Sequence, residues 1–243
     1  MSLKIDSFTQ SSHPFMMKHF LYRSPLMLLA AFTLTVLFIQ GTSFSSGPPA
    51  ATSGAPGENN CTACHSGAVN SGTGTATIQF TGGGVTQYTP GQTYSMQVDI
   101  SQSGLSRFGF QASAQTSSNT QAGSFTVTDA TNTQAVNGGG KQYIQHTSAG
   151  TSAIPAGSTS WSFDWTAPNS DVGPITFYVS ALAANGNNGT SGDQVYTTNI
   201  TIQGPPPATE TVNLDSISAD TLCAGLQLTF YFNTPDTFAN GNL

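Results

Sequence analysis

From Thr75 onward the chain alternates apolar and polar residues in short runs separated by turns rich in Gly, Asn and Pro. This is the period-2 signature of strands with one buried face. Tyr94, Met96, Val98 and Ile100 fall on one face, with Ser95, Gln97 and Asp99 on the other. The same reading turns Phe108, Phe110 and Ala112 inward, then Trp161, Phe163 and Trp165 against Ser162 and Asp164. Ile175, Phe177 and Val179 form a further inward set, and Tyr196, Thr198, Ile200 and Ile202 a last one. About six to nine strands at this spacing predict an all-β fold over residues 75–203. The expected form is an immunoglobulin-like sandwich of two antiparallel sheets. Some 130 residues suffice to enclose a core.

The flanks follow other patterns. Residues 46–74 are mostly Gly, Pro, Ala, Ser, Thr and Asn, with Val69 as the only large aliphatic side chain, so this short irregular segment cannot build a core alone. Residues 1–45 read as a signal peptide: Lys18 and Arg23 precede an apolar run from Pro25 to Ile39, and Ser43-Phe44-Ser45 offers a small-x-small cleavage site. An uncleaved anchor is the alternative, although the run is shorter than the ~20 residues of a usual span. Gly204-Pro205-Pro206-Pro207 opens a linker over 204–210, because consecutive prolines cannot donate ladder hydrogen bonds. Thr211 to Ile217 and Leu226 to Phe232 then read as two strands of a second β-domain that is cut short within 211–243.

Within the polar segment lies the chemistry: Cys61-Thr62-Ala63-Cys64-His65. In an exported chain this spacing is the attachment pattern of c-type haem. Two intervening residues let both sulfurs reach one edge of the porphyrin, and the adjacent imidazole comes to lie beneath the iron. One covalent haem c is therefore expected on Cys61 and Cys64, with His65 as proximal ligand. After leader removal His146 and Met96 are the remaining candidates for a distal ligand. Met96 shares the inward face of its strand, which points to core packing. His146 stands at a strand end expected near a sandwich edge, where a distal ligand and a backbone-bonded imidazole are equally good readings. Two other readings of the cysteines stay open: a Cys61–Cys64 disulfide in an oxidising compartment, and a zinc site completed by His65 and His146. Residues 46–74 hold too few apolar side chains to wrap a porphyrin, so the ring must lean on the sandwich or stay exposed. Exposure suits electron exchange with a redox partner protein. A haem peroxidase would need an open sixth position and a distal acid or base.

Charge narrows the partners. Without residues 1–45, Arg107 and Lys141 stand against ten carboxylates, a net charge of −8. Nucleic acid and anionic membrane surfaces are bound chiefly by clustered Lys and Arg, so both are excluded as partners of the processed chain. Asp99 and Asp164 are isolated outward carboxylates, and no paired-carboxylate or Ser/His/Asp spacing points to an enzyme. Asn188-Gly189-Thr190 and Asn199-Ile200-Thr201 match a glycosylation pattern that chance alone supplies in so Asn- and Thr-rich a chain.

Several stretches together resemble a known family. They are Gly54-Ala55-Pro56-Gly57 ahead of the cysteine motif, Tyr88-Thr89-Pro90-Gly91-Gln92-Thr93-Tyr94, Gln145-His146-Thr147, Trp161 to Pro168, and Gly173 to Tyr178. Their order over residues 54–203 resembles the choice-of-anchor V family, secreted bacterial proteins whose sandwich is similar to the reelin N-terminal (reeler) domain. The resemblance implies a secreted, periplasmic or cell-surface protein, often with further β-domains and an anchoring signal. It also implies an alternative function, an adhesion or binding module in which the cysteines are structural. A His-Thr pair ahead of the Trp-containing strand looks similar in reeler domains that lack the haem motif, which weighs against His146 as a ligand.

Overall fold

The computed structural model describes residues 44–152 and 156–206, and the backbone of 214–222 and 225–232. The predicted leader, apart from Phe44 and Ser45, and residues 207–210 of the linker lie outside the described residues.

Among the described residues nine strands form the expected sandwich. β1 (Thr75–Phe80), β2 (Thr93–Ser101), β7 (Ser158–Thr166) and β4 (Ser124–Thr126) make one sheet in the order β1-β2-β7-β4. β5 (Thr133–Gly138), β6 (Lys141–His146), β3 (Arg107–Thr116), β8 (Ile175–Ala184) and β9 (Gln194–Ile202) make the other, in the order β5-β6-β3-β8-β9. All these pairings are antiparallel. A separate antiparallel pair, β10 (Leu214–Leu222) and β11 (Gly225–Phe232), lies beyond the linker. The first of these strands therefore runs further along the chain than the 211–217 expected.

The inward faces are those the alternation predicts. Met96, Val98, Phe110, Phe163, Trp165, Phe177 and Val179 are fully buried in one core, and burial of each such side chain is worth about 1.5–3 kcal/mol. Aromatic rings bridge the two sheets: Phe110 of β3 lies 4.6 Å from Trp161 of β7, and Trp165 meets Phe177 edge-on at 4.8 Å. Each buried indole N–H finds a carbonyl, Trp161 at Gly150 and Trp165 at Ala122, both at 2.9 Å. Aromatic burial of this kind requires such partners. Met96 is enclosed in this core, as its place in the alternation implies, and does not approach the cysteine motif.

The second face of the five-stranded sheet departs from the simple pattern. β3 is buried on both sides, since Gly109, Gln111, Ser113 and Gln115 point outward yet are covered. The cover is the polar N-terminal segment, which docks by hydrogen bonds in place of apolar contact. Thr52 donates its backbone N–H to Gln111 Oε1 at 2.6 Å, and Gln111 Nε2 donates to Pro49 O and Gln145 Oε1. Ser53 Oγ lies 2.8 Å from Ser113 Oγ. The Glu58 carboxylate accepts from Ser53, Gln115, Lys141 and Tyr143 at 2.6–2.9 Å. Burial pushes the Glu58 carboxyl up, but these four bonds together hold it below its ordinary value. No buried side-chain N or O among the described residues lacks a partner, as a polar interface of this kind demands.

Candidate functional site

Where this segment meets the end of the five-stranded sheet, a cavity of about 530 Å³ remains. Its size falls within the range of small-molecule and cofactor sites. Cys61, Cys64, His65 and His146 all line it. The sequence motif and a histidine some eighty residues later are thus brought to one space. Pro48, Pro49, Phe108, Phe110 and Leu182 supply apolar wall, and Arg107 stands at the same cavity.

Cys61 to Ala63 form a single 3-10 turn, started by Asn60, whose Oδ1 accepts from the Thr62 N–H and hydroxyl at 2.8 and 2.6 Å. The turn directs the cysteines differently: Cys61 is buried and Cys64 exposed, and both are free thiols. The disulfide expected as one alternative is therefore not formed. Ser180 of β8 grips Cys61 twice, accepting from its backbone N–H at 3.0 Å and donating to its sulfur at 3.2 Å. Burial pushes the Cys61 thiol up to about 11, with the Ser180 bond opposing. The sulfur is protonated at neutral pH, the opposite of a redox-active or metal-binding thiolate. A neutral thioether sulfur suits the same place.

His65 is oriented from the other side. Its Nδ1 lies 2.6 Å from Oδ2 of Asp193, whose side chain is wholly buried. The hairpin loop between β8 and β9 sets this contact: the Asn185 N–H donates to Asp193 Oδ1 at 3.0 Å, and Ser66 N–H donates to Thr190 O at 2.8 Å. A carboxylate can only accept, so Nδ1 is the donor in this contact, and Nε2 is the ring atom left to face a metal.

His146 ends β6, and β6 lies inside the sheet between β5 and β3. The residue is buried, and the edge position expected from sequence is corrected accordingly. The β3–β6 ladder stops after the Gln111–Gln145 pair, and the imidazole takes the place of the next rung. Phe110 N–H lies 2.9 Å from Nδ1, and Phe110 O lies 3.1 Å from the same atom. One tautomer accepts the N–H; the other donates to the carbonyl and leaves Nε2 with a lone pair. Burial lowers the pKa of His146, against hydrogen bonds to the Phe110 and Phe44 backbone, so the ring is neutral at neutral pH. Space for it comes from Gly109, where a Cβ would lie 2.6 Å from the ring.

Among the described residues no group of three or more His, Cys, Asp or Glu side chains is close enough to hold a bare metal ion, so the four-ligand zinc alternative has no geometry here. The candidate ligands stand around a cavity large enough for an organic group. Asp193, Ser180 and Gly109 were not visible as site residues in the sequence. Asp193 is the loop residue just before β9, and only the hairpin's return beside His65 gives it a role. Asp99 and Asp164 take hydrogen bonds from Gln79 and Ser95, their neighbours on the outer sheet face, away from the cavity.

An antiparallel β-sandwich carrying a docked N-terminal segment defines an immunoglobulin-like module. Residues 61–186 match the Reeler domain family, and the chain belongs to that family. Among solved structures it is similar to the human F-spondin reeler domain, at 19% identity over 56% of this chain and 94% of that one, with a TM-score of 0.41. It is also similar to the Reelin-N domain of F-spondin, at 17% identity over 60% and 96% of the two chains, TM-score 0.43. A cohesin module from a Clostridium perfringens family 33 glycoside hydrolase follows at 11% identity, 54% and 96% coverage and TM-score 0.40. No curated protein matches the chain. Among the described residues no helix is long and apolar enough to cross a membrane.

Proposed function

We propose that this reeler domain is exported and carries one covalent haem c, serving single-electron transfer to a redox partner protein at the cell envelope or outside it. The observation that carries the reading is the convergence of Cys61, Cys64, His65 and His146 on one partly apolar cavity of about 530 Å³. Cys61 and Cys64 would hold the ring edge through thioethers, and His65 would ligate through Nε2. His146 would ligate in the tautomer that donates Nδ1–H to Phe110 O. The iron, once bound, supplies a one-electron couple whose potential two imidazole ligands set lower than an imidazole and a thioether would. Leader cleavage after Ser45 would remove Phe44 and its hydrogen bond to His146, leaving that ring free to turn Nε2 to the cavity. Expression with a haem maturation system tests the reading. A red protein heavier by one haem supports it, and a colourless protein of apo mass rules it out.

A second reading is an extracellular binding module, favoured by membership of the Reeler family. Here the cavity takes a small apolar ligand and the cysteines stay unmodified. Thiol counting on protein recovered from its native envelope separates the two: two reactive thiols in residues 61–64 support this reading, and blocked sulfurs contradict it.

A further inference from the structure

A carboxylate without water around it needs a reason, because a buried charge is strongly unfavourable unless it is paired and hydrogen-bonded. Asp193 has a side chain with no exposure at all, and its two oxygens are met by His65 Nδ1 at 2.6 Å and the Asn185 N–H at 3.0 Å. The described ion pairs are this contact and Lys141 with Glu58, so among the described residues no Lys or Arg shares the load on Asp193. The chain invests further in the arrangement. Asn185 Nδ2 donates to Ser191 O, and Asn187 N–H to Asn185 Oδ1, which folds the loop so that Asp193 returns beside the cysteine turn.

We propose that Asp193 is the positioning residue of the haem ligand His65: through the Nδ1–H bond it fixes the ring's tautomer and orientation, makes Nε2 a stronger donor, and draws the iron potential down. The inference rests on the haem reading above. Its physical basis is that a carboxylate accepting the Nδ1 proton gives the imidazole partial imidazolate character, and the more electron-rich ring favours ferric over ferrous iron. Buried surroundings strengthen the effect, since little solvent competes for the bond. A merely structural Asp193 would fasten the loop without moving the potential.

The test uses the full exported chain loaded by a haem maturation system, with the wild type beside Asp193→Asn and Asp193→Glu. Mass comes first: if the wild type carries no haem, the haem reading fails and this inference falls with it. With one haem present, redox titration of Asp193→Asn is expected to shift the balance toward the reduced form about tenfold or more, ~59 mV for one electron. Asp193→Glu, which keeps the carboxylate, is expected to stay near the wild type. An unchanged potential in Asp193→Asn overturns the inference while haem attachment stands. Should Asp193→Asn fail to fold, the ferric wild type's electron paramagnetic resonance spectrum decides. A g-spread narrower than that of the neutral bis-imidazole complex of the same haem supports the role, and an equal spread overturns it.

Discussion

The imidazole of His146 occupies the space that a side chain on Gly109 would need: a Cβ built there would stand 2.6 Å from Cε1 and 3.0–3.1 Å from both ring nitrogens. Gly109→Ala must therefore displace the ring or the strand. Overpacking of this kind costs about 1–3 kcal/mol, read as a lowered urea midpoint. The Gly109→Ala/His146→Ala double variant should lose less than the sum of the single losses, a coupling of about 0.5–3 kcal/mol. Strict additivity would show that the two residues do not share this space.

Glu58 makes stability depend on acid. Its folded pKa lies below the ordinary 4.5, so the folded state binds fewer protons than the unfolded one in that window. The contribution is complete above 4.5 and is lost as pH falls through the folded value. Glu58→Gln should flatten this acid limb of the melting curve and cost about 1–3 kcal/mol at neutral pH, because Lys141 loses its ionic partner and one of the two acceptor oxygens becomes an NH2 group that cannot accept. A wild type whose melting temperature is level from pH 7 down to 3 would contradict the assignment.

Phe110 belongs to two structures at once. It packs at 4.6 Å on Trp161 in the core, while its backbone holds the His146 ring at the cavity. Phe110→Ala is expected to cost about 3–5 kcal/mol, as for other buried aromatic residues. Calorimetry that showed a loss below 1 kcal/mol would mean the sandwich core is far less tightly packed than described.

The two cysteines should respond unequally as structural residues and equally as attachment points. Cys64 is exposed, and Cys64→Ala should move stability by no more than about 0.5 kcal/mol. Cys61→Ala also removes the sulfur that Ser180 donates to, and should cost about 1–2 kcal/mol. Replacing both should remove covalent haem from the protein, checked by mass under denaturing conditions. Haem that survives the double replacement under those conditions would contradict attachment at these positions.

The sandwich was legible because strand alternation is a local code. Met96, Val98 and Ile100 face the core for the same reason that Ser95 and Gln97 do not: successive side chains leave a strand on opposite sides. The code misleads at β3, where the outward Gln111, Ser113 and Gln115 look solvated and are in fact buried. Their partners come from residues 49–58, about sixty positions earlier, and no local pattern announces such pairing. His146 ends its strand as the sequence implies, yet it is buried, because Gly109 and the Phe110 backbone close over it from a neighbouring strand.

By itself the sequence determined the class of fold, the inward faces of its strands and the one motif with chemistry in it, because each is written in the spacing of neighbouring residues. Tertiary structure alone decided that the polar segment would lie on the sheet. It also decided that a cavity would open between them and that His146 would come to the cysteines. The partner of His65, Asp193, lies 128 residues away. Such contacts depend on which hairpin returns beside which strand, a matter of the whole chain's packing that spacing along the sequence does not encode.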